Sequence, residues 1–130
     1  MIDILIVKKL SISQIEGFLS ALLNCEPTKV KVFDADQFYS VDELDYSQID
    51  CICVYSEVCG DVAQLLQIFR YKISDNCFLQ KLIVIAYRKS ILCYIPSDSL
   101  NGWYYLGYTA TPVIAKEIES ENDCYVFKLI

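Results

Sequence analysis

Residues 2–7, 49–55 and 82–87 form near-continuous apolar runs, interrupted only by Asp3 and Asp50 near their starts. Runs of this kind suit strands covered on both faces, which points to a parallel sheet between helical layers. Residues 29–33 alternate polar and apolar, as an edge strand does. Ser13 and Glu16 have the spacing of a capping box, and Ile15, Phe18, Leu19, Leu22 and Leu23 then make one helical face before Pro27. A second helix is expected from Gly60-Asp61 onward, with Val62, Leu65, Leu66, Phe69 and Ile73 on one side. A third, shorter one has Thr111 as cap and Pro112 at its first position, followed by Val113, Ile114 and Ile118. Strands are expected at 91–95, 103–108 and 124–129, with Asn101-Gly102 as a turn.

The predicted order is β-α-β-β-α-β, then further strands, a short helix and a last strand. It fits a single α/β domain: three layers, with a mainly parallel sheet flanked by helices. The alternative is a ferredoxin-like α+β unit (βαββαβ) with extra C-terminal strands, in which 29–33 and 49–55 would pair antiparallel.

Composition supports one globular domain: 130 residues, 55% hydrophobic and 22% charged. No run approaches the ~20 apolar residues of a membrane span. The first apolar run precedes Lys8 and Lys9, the reverse of a secretion signal, so a cytoplasmic protein with no membrane association is expected. The seven cysteines (25, 51, 53, 59, 77, 93, 124) are odd in number and lack the spacing of a disulfide framework, which suggests a reducing compartment.

Several chemistries are excluded. Without histidine there is no Ser-His-Asp or Cys-His arrangement and no imidazole metal site. The four glycines (17, 60, 102, 107) build no phosphate loop or dinucleotide fingerprint. Cys59 lacks the arginine six positions on that a phosphatase loop needs, because position 65 is leucine. No cofactor is expected, and the chain is read as non-catalytic. The enzymatic alternative is the pair Asp34 and Asp36, which could hold Mg²⁺ against a phosphorylated substrate.

The strand-turn-helix reading of residues 49–69, with Thr111-Pro112 before the last helix, resembles the receiver domains of two-component signalling. That resemblance implies a regulatory or protein-interaction domain of degenerate type. The family's acidic pair is replaced by Lys8-Lys9, its phosphorylated aspartate would fall near Tyr55-Ser56, and its lysine before the proline is Thr111.

Charge is the most informative feature. The net charge is -6, but residues 1–31 and 70–130 each carry +1, and residues 32–69 carry -8 with no lysine or arginine. Six of those eight acids are Asp34, Asp36, Asp42, Glu43, Asp45 and Asp50, interleaved with Phe38, Tyr39 and Tyr46. Carboxylates among aromatics suit an interface with a basic protein, and they repel nucleic acid. These nine residues are the predicted partner-binding site. A second acidic cluster, Glu117, Glu119, Glu121 and Asp123, follows the predicted third helix. In compactness, acidity and want of catalytic groups the chain resembles the small immunity proteins of bacterial polymorphic toxin systems, such as those of contact-dependent inhibition. That resemblance implies a cognate toxin domain as partner, basic and of nuclease type, neutralised by the acidic aromatic surface.

Overall fold

A computed structural model describes residues 2–38, 45–71, 75–97 and 102–130. The chain opens with strand β1 (Ile2–Ile6), and helix α1 (Ile12–Leu23) follows. The helix starts two residues before the predicted cap. Ser11 Oγ accepts from the Gln14 N–H at 3.2 Å, and Gln14 Oε1 accepts from the Ser11 N–H at 2.8 Å. The expected apolar face, Ile15, Phe18, Leu19, Leu22 and Leu23, is buried.

Next come β2 (Val30–Asp34), a single helical turn α2 (Ala35–Phe38), β3 (Cys51–Glu57), β4 (Cys59–Gly60) and β5 (Gln64–Arg70). Helix α3 (Asp75–Lys89) leads to β6 (Cys93–Pro96), β7 (Gly102–Leu106), β8 (Val113–Glu121) and β9 (Cys124–Leu129). The strands form one sheet in the order β2-β3-β5-β1-β6-β7-β8-β9-β4. Only β2 with β3 and β4 with β9 are parallel; the other neighbours are antiparallel.

Neither the mainly parallel three-layer fold nor the ferredoxin-like unit is therefore correct. The inference that strands such as β1 are covered on both faces was sound, but the second cover is not a helical layer. Ile4 and Ile6 face one core with Phe18, Leu19 and Leu22 of α1 and Leu82 and Ala86 of α3. Leu5, between them, faces a second core with Val62, Tyr94, Ala115 and Phe127. Ala115 and Phe127 lie on β8 and β9, at the far end of the strand order, so the sheet curls back over its own face. One residue, Val58, separates β3 near one end of the order from β4 at the other.

Three predicted elements change type. Residues 82–87 lie in α3, whose buried Leu82 and Ala86 and part-buried Phe78 and Leu79 follow helical spacing. The expected helix from 60 onward is β4 and β5, where Gln64, Leu66 and Ile68 are buried at strand spacing; Ile73 lies outside the described residues, as does Asn101. The helix after Thr111-Pro112 is β8, so Glu117 and Glu121 do not load a helix end. With 49–69 built as strands, the receiver resemblance loses its structural basis.

Gln64 is fully buried, yet both ends of its amide are satisfied. Its Oε1 accepts from the Leu10 N–H at 3.0 Å and its Nε2 donates to the Leu10 carbonyl at 3.2 Å, fixing the β1–α1 loop. Asp3 is less well served. It lies opposite Gln67, which hydrogen-bonds it, but its Oδ1 is shut from solvent with no partner. Burial raises its pKa above the ordinary carboxylate value, and the Gln67 bond offsets only part of that. The folded state thus holds the Asp3 proton more tightly than the unfolded chain, and the charged form costs stability at neutral pH. That cost fades as pH falls through the raised value. Asp3→Asn is expected to melt at a higher temperature than the parent at pH 7, with the difference vanishing near pH 3. Thermal melts at the two pH values check this.

Candidate binding surface

Among the described residues, the predicted interface residues include Asp34 and Asp50 at opposite ends of β2. Asp34 ends β2, and its Oδ1 accepts from the Asp36 N–H at 2.9 Å, which starts α2. Asp36 is exposed beside it. Phe38, at the end of α2, stacks on Phe69 of β5 with ring centroids 5.9 Å apart and planes within 5°, and tilts against Phe33 at 5.6 Å. Its area is therefore engaged with the chain's own sheet. Asp50 sits at the opposite end of β2, since it precedes Cys51, whose register partner is Val30. Four strand steps, about 13 Å, separate the two ends. The Asp50 N–H donates to the Lys29 carbonyl at 2.9 Å, and its side chain is half-buried.

Asp45 and Tyr46 lie at the Asp50 end of the segment in sequence, and both are exposed. Asp45 Oδ1 accepts from the Ser47 N–H at 3.1 Å and from its hydroxyl at 2.6 Å, and these bonds hold its pKa below the usual carboxylate value. Tyr39, Asp42 and Glu43 lie outside the described residues.

The Asp34 end has a neighbour of opposite sign. Strands β1, β2 and β3 point the same way, so Lys8 and Lys9, after β1, share an edge with Asp34 and Glu57. Lys9 Nζ pairs with Glu57, which raises the lysine pKa through that hydrogen bond and the charge behind it, with Asp34 a lesser contributor.

Among the described residues no group of three or more Cys, Asp or Glu is placed to hold a metal ion, and Asp34 has an oxygen committed to Asp36. Burial pushes the Cys51 and Cys93 thiols up to about 12 and Cys53 upward as well, so none is a thiolate at neutral pH.

Cysteine spacing, read as that of a reducing compartment, left open whether any cysteines pair; the structure joins Cys59 and Cys124 in a disulfide. The two cysteines are register partners in the parallel pair of β4 and β9, with Cα atoms 4.3 Å apart. A contact 65 residues apart leaves no trace in cysteine spacing. Among the described residues no helix is long and apolar enough to cross a membrane. Compared with protein-family models, curated proteins and solved structures, the chain matches none.

Proposed function

We propose that this chain is a non-catalytic inhibitor of the immunity-protein type, which neutralises a basic toxin domain, of nuclease type, by covering it with an acidic surface. The observation that carries the reading is the charge segregation: eight acids and no lysine or arginine in residues 32–69, on a chain whose remainder is slightly basic. Asp36 and Asp45 present their charge to solvent at two places along that segment. The surface is broader than one loop, with Asp34 and Asp36 at one end of β2 and Asp50 at the other, Asp45 and Tyr46 preceding Asp50 in sequence. A field of this sign steers a basic partner to the encounter and repels nucleic acid from the same face. A cytoplasmic site of action goes with this proposal; the Cys59–Cys124 disulfide, a bond of oxidising compartments, weighs against it.

The test is co-purification of the tagged chain with the basic polypeptide encoded by a neighbouring gene. A complex is expected with the parent chain. Asp34→Lys, Asp36→Lys and Asp45→Lys combined should weaken it about a hundredfold at low salt without unfolding the protein. A triple variant that binds as tightly as the parent places the contact on another face.

A further inference from the structure

The edge of the sheet that carries Asp34 and Glu57 becomes basic a few strands away. Lys8 and Lys9 leave β1 there, and Arg88 and Lys89 end α3. Between α1 and α3 lies a cleft of about 640 Å³, lined by Lys8, Lys9, Lys89, Ser13, Ser90 and Tyr108 among others, with no Asp or Glu in its wall. A smaller hollow beside it shares Ser90 and Tyr108 and adds Arg88. On a chain of net charge -6, four of the eleven basic residues therefore gather round a carboxylate-free cavity.

Three of these four charges are not answered within the described part of the chain. Lys9 reaches Glu57, but Lys8, Arg88 and Lys89 have no ion pair among the described residues. A cation late in a helix ordinarily offsets the helix dipole. Here the Lys89 ammonium reaches across to α1: a Cβ at Gly17 would lie 4.0 Å from its Nζ. The first turn of α1 contains no acidic residue, so its partial positive charge adds to that of the lysines. An anion entering the cleft would meet Lys8, Lys9 and Lys89 in its lining.

We propose that this cleft binds a small phosphorylated molecule. Its volume lies within the range of small-ligand sites. Its polar groups are dominated by donors: the lysine ammoniums and the hydroxyls of Ser13, Ser90 and Tyr108 can all give hydrogen bonds to phosphate oxygens, several at once. Leu10, Ile91 and Leu92 supply an apolar wall for the rest of the ligand. Tyr108, 82% exposed, stands at the rim, where its ring is available to stack on a planar group. The proposal does not rest on the partner proposed for the acidic surface, although Lys9 joins the two through its pair with Glu57.

Calorimetric titration of the full chain with inorganic pyrophosphate at low ionic strength tests the proposal. Binding is expected, and Lys8→Gln and Lys89→Gln should each weaken it about tenfold. Lys128→Gln, on β9, should leave it unchanged, and fluorescence of Trp103, the sole tryptophan, verifies that each variant is folded. Absence of binding at millimolar pyrophosphate overturns the proposal. So does an equal loss in Lys128→Gln, which would mark diffuse attraction. Tighter binding of a single-stranded oligonucleotide through Lys8 and Lys89 overturns it too, by making the cleft part of a nucleic-acid surface.

Discussion

Removing the Cys59–Cys124 bond is expected to cost about 4 kcal/mol of folding stability, the loop-closure value for a bridge across 65 residues. The bond sits where the fold needs it. Strand β4 has only two residues, and it alone joins the free side of β9 to the chain that has just left β3. Beneath that closure lies the second core, in which Tyr94 stacks on Phe127 with centroids 4.0 Å apart and Trp103 meets Phe127 edge-on at 5.5 Å. The first core, clamped between the sheet and α1 with α3, does not depend on β4. Chemical denaturation of the Cys59→Ser, Cys124→Ser double variant, followed by Trp103 fluorescence, gives the measurement. A loss under about 1 kcal/mol would show that the curl is held by packing and hydrogen bonds alone.

Gly60→Ala is the second large effect, about 3 kcal/mol, and it acts on the same closure. Gly60 has φ of 94°, a conformation that side chains with a Cβ avoid. A Cβ there would also run into the Tyr125 backbone: its carbonyl oxygen, its amide nitrogen at 2.8 Å and its carbonyl carbon at 2.9 Å. Backbone cannot rotate aside as a side chain does, so β4 must lift from β9. With it go the Cys59 N–H bond to the Asp123 carbonyl, the Asp61 N–H bond to the Tyr125 carbonyl and the Phe127 N–H bond to Asp61 Oδ2. Because this substitution and loss of the disulfide open the same closure, their combined cost should fall short of the sum of the two. Strict additivity in a double-mutant cycle, read by denaturation, would mean that the strand pairing and the bond act independently.

The sequence made some of this fold legible, and the exceptions have physical causes. Helix α1 was readable because five apolar residues at helical spacing end before Pro27. Its start was ambiguous because Ser11 with Gln14 and Ser13 with Glu16 both have capping-box spacing, and the structure uses the first. Helix α3 hid behind a six-residue apolar window, too short for periodicity to separate helix from strand. Strand β5 was lost because the adjacent Leu65 and Leu66 satisfy both periods; the buried Gln64, bonded to Leu10, made the strand pattern look broken. At β8, Pro112 suggested a helix start. The better signal was Asn122-Asp123, both at positive φ, a two-residue hairpin turn between alternating segments.

The candidate surface was legible as charge and illegible as shape. A count of acids locates the segment, yet only pairing registers show that Asp34 and Asp50 flank a strand. Nothing local to Phe38 shows that its ring is taken by Phe69, 31 positions on. The basic cleft was invisible for the same reason, because Lys8, after β1, and Lys89, at the end of α3, line one cleft only in the folded chain.

The proposal that the acidic surface neutralises a basic toxin is tested most directly by one titration. The affinity of the purified chain for the basic product of its neighbouring gene is measured as salt is raised. A tight complex whose affinity falls steeply with salt, and whose salt dependence flattens in the Asp34→Lys, Asp36→Lys, Asp45→Lys variant, is the predicted result. No complex, or one indifferent both to salt and to those three substitutions, would contradict it.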